Sequence, residues 1–287
     1  MEVVIINIAF WSKIKEKACV SSNMAVCAAM LNSVYGKHIS LLENHFNPRN
    51  VGNYFLPPEK INALYEKGKY CSKYGIEYLI RNLYTDCTDD STFDESSVSV
   101  SNSGLYYFPQ SYLVNKEIFD YEFNIVMDKL YMYLENRSYA VFTDTESSSN
   151  ITTNKILSTA DLVVVCIDQS FADIFDYLDT YSSLTYKSIF LVGKYDPENH
   201  PNLEEITHVL KVPERYIGLV PYDHEFERSI KKGELMRFVV QNNINSPIPE
   251  TRYFIKEMRR TAAILYDKIE YIKAAKTAKT VSQAYTI

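Results

Sequence analysis

Glycine is scarce in this chain, with 8 among 287 residues and none between Met1 and Tyr35. That excludes a glycine-rich phosphate loop near the N-terminus, where backbone N–H groups need glycine to approach an anion closely. Cysteine is also sparse and odd in number: Cys19, Cys27, Cys71, Cys87 and Cys166, with no C-x-x-C pair. A disulfide framework or a cysteine-based zinc site does not fit that pattern, and reduced thiols are expected. The five histidines are scattered without H-x-x-x-H or similar ligand spacing, so no metal site is read from them. No apolar run is long enough to span a bilayer. The opening residues lack the basic segment of a signal peptide, which gives a cytoplasmic expectation.

What is present is a regular alternation. A β-branched run at Val3–Ile8 reads as a buried central strand. A polar loop at 12–19 follows, and then small and apolar residues at helical spacing (Met24, Cys27, Ala28, Leu31) in a helix over 21–34. Further strands are expected at 37–42, 105–108, 139–142, 161–167, 188–192 and 216–220, with helical stretches between them. The Ser-rich, acidic segment 86–104 reads as an exposed loop with a short strand near 97–101. The fold class expected is α/β: three layers, a mostly parallel central sheet flanked by helices, and a C-terminal helical extension. We place the main domain at 1–241 and the extension at 242–287.

Strand, loop and helix in this order make the place where nucleotide-binding α/β proteins hold phosphate. The chemistry of the loop differs from that role. Aligning Asn23-Met24-Ala25 with the N-L-A that follows a deviant Walker A loop puts Lys17 on the phosphate lysine. Glu16 then stands on a glycine and Ala18 on the hydroxyl that binds magnesium. A carboxylate about 5 Å from a phosphate charge costs roughly 3 kcal/mol at an effective dielectric of ~20. Lys13, Lys15 and Lys17 offset that, with Ala18 and Cys19 leading into the helix. Tyr139–Phe142 ends in Thr143-Asp144-Thr145-Glu146, so Asp144 is a strand-end carboxylate of Walker B type, the one residue placed to meet a magnesium shell.

The order of pieces resembles the ParA/MinD family of deviant-Walker P-loop ATPases, closest to its atypical CpaE/TadZ branch. The stretches that carry the resemblance are I-N-I-A-F-W-S with S-S-N-M-A, L-L-E-N-H-F, L-Y-Y-F-P, Y-A-V-F-T-D-T, A-D-L-V-V-V and Y-I-G-L-V-P-Y-D-H-E-F-E-R-S-I-K-K-G-E-L. The resemblance implies a P-loop fold with ATP as the nucleotide, Lys17 at the phosphates and Asp144 as the Walker B acid. It also implies Glu43 where an acid orients attacking water, and Pro221 and Tyr222 at the base. Gly193 stands where the family often has an adenine-binding Asn, and Ser12 where it has a signature lysine. The lost glycines and Ala18 imply weak or absent hydrolysis and poor magnesium binding. The role implied is a dimeric scaffold that positions a pilus, secretion or partition partner. A slow ATPase using Lys17 and Asp144 is the alternative.

The charge is uneven. Residues 251–287 hold eight Lys and Arg against three Asp and Glu, on a chain of net charge −6. Phe254, Ile255, Met258, Ala262, Leu265 and Ile269 form one helix face and are expected on the body. Arg252, Lys256, Arg259, Arg260 and Lys268 would face out, toward DNA, a membrane or a partner.

Overall fold

The computed structural model describes residues 6–14, 18–47, 50–102, 104–111, 115–147, 149–243 and 246–284. The elements run in the order β1 (Asn7–Trp11), α1 (Val20–Tyr35), β2 (Ile39–Glu43), α2 (Gly52–Phe55), α3 (Pro58–Tyr70), α4 (Gly75–Tyr84), α5 (Thr92–Ser96), β3 (Val98–Ser101), β4 (Leu105–Tyr107), α6 (Lys116–Glu135) and β5 (Ala140–Asp144). They continue as α7 (Ile151–Thr159), β6 (Leu162–Ile167), α8 (Phe171–Tyr181), β7 (Ser188–Tyr195), α9 (Leu203–Leu210), β8 (Ile217–Pro221), α10 (His224–Lys232), α11 (Leu235–Asn242) and α12 (Pro249–Ala284).

One eight-stranded sheet, ordered β3-β4-β2-β5-β1-β6-β7-β8, forms the middle layer. Every neighbouring pair is parallel except β3 with β4, an antiparallel edge hairpin with an irregular register between Ser99 and Ser101. Alternation along the strands sends successive side chains to opposite faces. Ile8, Phe10, Phe142, Val164 and Leu191 join α1, α10, α11 and α12 in one core. Ala9, Trp11, Val141, Val163 and Phe190 join α4, α6, α7 and α8 in the other. Each inner strand is buried on both faces, which is why it reads as a continuous apolar run.

The segment 86–104, expected as a loop, also folds the helix α5. Phe93 drives it, because the ring packs edge-on to Tyr106 and Phe108. The C-terminal helix runs to Ala284 and buries all six residues of its expected inner face. Its approach to the sheet needs the missing side chain of Gly218, since a Cβ there would lie 2.8 Å from Thr261 Cγ2. The Thr261 hydroxyl accepts from the Leu219 N–H at 3.0 Å and donates to the Leu219 carbonyl at 2.9 Å. Those two groups of the last strand would otherwise be buried without partners. The turn after α10 is fixed by Gly233, whose φ of +69° suits a residue without Cβ and closes the helix.

The outward cations of the helix divide into two sets. Arg252, Lys256 and Arg259 are exposed. Arg260 pairs with Glu257 and Glu214, Lys268 lies over the Tyr216 ring, and Lys276 bonds Asp161 at 2.7 Å. Part of the basic surface is therefore spent on the body of the protein itself.

Candidate functional site

The loop after β1 leads from the interior of the sheet to α1, and a cleft of about 770 Å³ opens there at the C-terminal ends of the strands. In doubly wound sheets ligands bind at that edge. Ala18, Cys19 and the first turn of α1 (Val20, Ser21, Ser22) form one wall. His45, Asp144, Thr145 and Glu146 form another, and Lys194, Glu227 and Lys231 complete the lining. Cys19 precedes α1 at φ 52° and its side chain does not cap the helix. A helix start with free N–H groups is an anion-binding end. Burial pushes the Cys19 thiol up, with Lys194 opposing, so Cys19 is not an activated thiolate.

Two carboxylates meet at the strand ends because β2 and β5 pair in parallel with Glu43 opposite Asp144. Both are buried. The His45 imidazole sits between them. Its Nε2 is 2.8 Å from Asp144 Oδ2 and 3.7 Å from Glu43 Oε1. The Val51 N–H donates to Glu43 Oε1 at 2.6 Å and the Tyr107 hydroxyl to Glu43 Oε2 at 2.8 Å. The Gln110 amide donates to the Glu43 carbonyl at 3.2 Å. Burial pushes the Glu43 carboxyl up to about 7, and Asp144 adds to it while His45 opposes. Burial pulls His45 down, but the carboxylates of Asp144, Glu43 and Glu146 together outweigh it and the imidazole is held up at about 9.

The residues expected at the site are placed as follows. Asp144, Ala18 and Cys19 line the cleft. Glu43 lies just beneath it, behind His45. Lys13 turns away: its ammonium bonds Asp176 and Thr180 on α8. Lys15 and Lys17, like Glu16, lie outside the described residues. Pro221 ends β8, and Tyr222 beyond it is exposed, its hydroxyl 3.2 Å from His224 Nδ1. Gly193 stands against Asn23 and the Ala18 carbonyl. His45 was not singled out from the sequence. One signal for it was available: positions 43 and 45 are two apart, and in extended chain they share a face.

A mostly parallel sheet between two helical layers, with a cleft beside the first β–α loop, is a doubly wound α/β arrangement of the class that holds nucleotides at this edge. No protein-family model matches the sequence, and no curated protein matches it. Solved structures do. A ParA family ATPase from Chlorobium tepidum TLS superimposes with a TM-score of 0.66 at 14% identity, covering 90% of this chain and 98% of that one. A plasmid partition protein from Borrelia burgdorferi B31, bound to AMPPNP, gives 0.59 at 18% identity over 92% and 98%. The septum site-determining protein MinD from Pyrococcus horikoshii, with Mg-ADP, gives 0.60 at 11% over 94% and 99%. The chain has the ParA/MinD fold.

The donor set separates the two parts of a magnesium–nucleotide complex. The start of α1, with Lys194 beside Cys19 and Lys231 in the same lining, suits phosphate. Magnesium demands near-octahedral oxygen ligands and usually sits on a hydroxyl and a strand-end acid. Here the hydroxyls at the helix start are those of Ser21 and Ser22, and the Asp144 carboxylate is bonded to an imidazole. The helix start and the lysines of the lining suit phosphate, whereas Asp144, held by His45, is poorly placed to give its carboxylate to magnesium.

Proposed function

We propose that this chain is a ParA/MinD-like protein of the CpaE/TadZ kind with a degenerate phosphate loop. It acts as a positioning scaffold for a pilus, secretion or partition partner, works as a homodimer, and binds adenine nucleotide with little or no hydrolysis. The observation that carries this reading is the engagement of Asp144 by His45, beside an alanine where a magnesium-binding hydroxyl would stand. The cleft retains a helix N-terminus for phosphate while its strand-end acid is occupied. The nucleotide-bound solved structures of the same fold support nucleotide as the ligand class. The domain of residues 1–241 carries the cleft, and the exposed cations Arg252, Lys256 and Arg259 on α12 offer a contact for DNA, an anionic membrane or an acidic partner.

The test is equilibrium binding of a fluorescent ATP analogue, with magnesium and then with a magnesium chelator. Equal affinity under both conditions is expected. Binding that requires magnesium, and is lost in Asp144→Asn, would replace this reading with a slow ATPase. No binding under either condition would leave a nucleotide-free scaffold.

A further inference from the structure

Three donor atoms from β2, β5 and the loop between β2 and α2 converge beneath the cleft: Glu43 Oε1, His45 Nε2 and Asp144 Oδ2. All lie within 4.8 Å of one another, and their residues are all buried. We propose that these three residues form a zinc(II) site that binds the ion directly, in the absence of nucleotide. It would pin the loop carrying His45 to the ends of β2 and β5.

The geometry supports direct ligation. Zinc–nitrogen and zinc–oxygen bonds of about 2.0–2.2 Å in a tetrahedron put the ligand atoms ~3.3–3.5 Å apart. The observed separations from Nε2, 2.8 Å to Asp144 and 3.7 Å to Glu43, bracket that spacing. Small side-chain shifts, without backbone movement, would open the space. The ion would replace the Nε2 proton in the bond to Asp144, and that proton would leave to solvent.

The chemistry points the same way. One imidazole with two carboxylates is a borderline donor set that suits zinc, whereas magnesium takes oxygen donors and keeps its waters. Two buried carboxylates and one divalent ion make a neutral cluster, and buried charges require such partners. The fourth position would face the cleft, which His45 and Asp144 line. The orienting shell is already built. Val51 N–H and Tyr107 hydroxyl hold the Glu43 carboxylate, and the Asn44 N–H donates to the Asp144 carbonyl at 3.1 Å. Such second contacts fix ligand geometry at metal centres. Because Glu43 and Asp144 are 101 positions apart, no local sequence spacing announces the site.

The experiment uses the full chain, stripped with a chelator and free of nucleotide, so its failure would leave the nucleotide reading untouched. Zinc is titrated by calorimetry and by thermal denaturation, with manganese and magnesium in parallel. One equivalent of zinc is expected to bind and raise the melting temperature. Manganese should bind more weakly, and magnesium should have no effect. His45→Gln, which keeps a donor to Asp144, should lose the equivalent. Cys71→Ser/Cys87→Ser should keep it. Cobalt(II) on the unaltered chain gives a second readout that needs no variant: visible bands of tetrahedral nitrogen–oxygen ligation, with no thiolate charge-transfer band. The inference is overturned if zinc does not bind at saturating free concentration. It is equally overturned if zinc binds with thiolate bands, or if the equivalent survives in both His45→Gln and Glu43→Gln. The triad is then an ion pair alone.

Discussion

Replacing His45 by alanine removes the one cation between two buried carboxylates, and the structure sets the size of the loss. The imidazole titrates at about 9 in the fold against an ordinary value of 6.5. Each pH unit between those values corresponds to about 1.4 kcal/mol. The charged imidazole, held by Asp144 with Glu43 and Glu146, therefore stabilises the fold by an amount on the order of 3 kcal/mol well below pH 6.5, where folded and unfolded imidazoles are both protonated. A raised folded value means that this stability is lost as pH rises through about 9. Above that, only the neutral hydrogen bond to Asp144 remains, worth about 1 kcal/mol. Glu43 has the same sign in a lower window: raised from 4.5 to about 7, it favours the fold below 4.5 and loses that contribution as pH rises through about 7. Asp144, Glu43 and Glu146 are the charged groups that act on His45, and the Tyr107 hydroxyl donates to Glu43. The assay is urea denaturation of the wild-type chain and His45→Ala, both in chelator, from acid to mildly alkaline pH. The expected difference is about 3 kcal/mol on the acid side, or roughly 6–12 °C in melting temperature. It should shrink steadily toward pH 9. The double variant His45→Ala/Asp144→Asn should regain part of the loss, because the unpaired carboxylate is gone. A difference that stays below about 1 kcal/mol at every pH, or one that grows with pH, refutes the reasoning.

Three further outcomes follow from the same contacts. Tyr107→Phe takes a hydrogen bond from the buried Glu43 carboxylate and should destabilise by about 1–3 kcal/mol in urea melts. Thr261→Val leaves the Leu219 N–H and carbonyl buried without partners, and about 2–3 kcal/mol should be lost by the same measurement. Lys13→Ala should leave fluorescent nucleotide affinity unchanged, because that ammonium is held by Asp176 and Thr180 on α8; a tenfold loss would show that it swings into the cleft.

The parts legible in the sequence were those set by local pattern. The first strand, whose β-branched start at residues 3–5 lies outside the described residues, the helix after it, the strand ending in Asp144 and the buried face of α12 all follow from periodicity and turn chemistry. The parts that were not legible depend on pairing. Glu43 meets Asp144 only because β2 lies beside β5, and His45 gains its meaning from that pairing. Histidine spacing along the chain could not show it. The direction of Lys13 is set by Asp176, 163 residues away on α8. In α12 the sequence predicts five outward cations, but Glu214, Asp161 and the ring of Tyr216 come from distant elements and draw some of its cations back.

A cleft with a helix start for phosphate and its strand-end acid held by His45 should bind nucleotide without turning it over. Steady-state phosphate release from magnesium ATP, compared between the wild-type chain and Asp144→Ala, tests that most directly. The account predicts no release above background and no difference between the two. Sustained turnover by the wild-type chain that disappears in Asp144→Ala would contradict it.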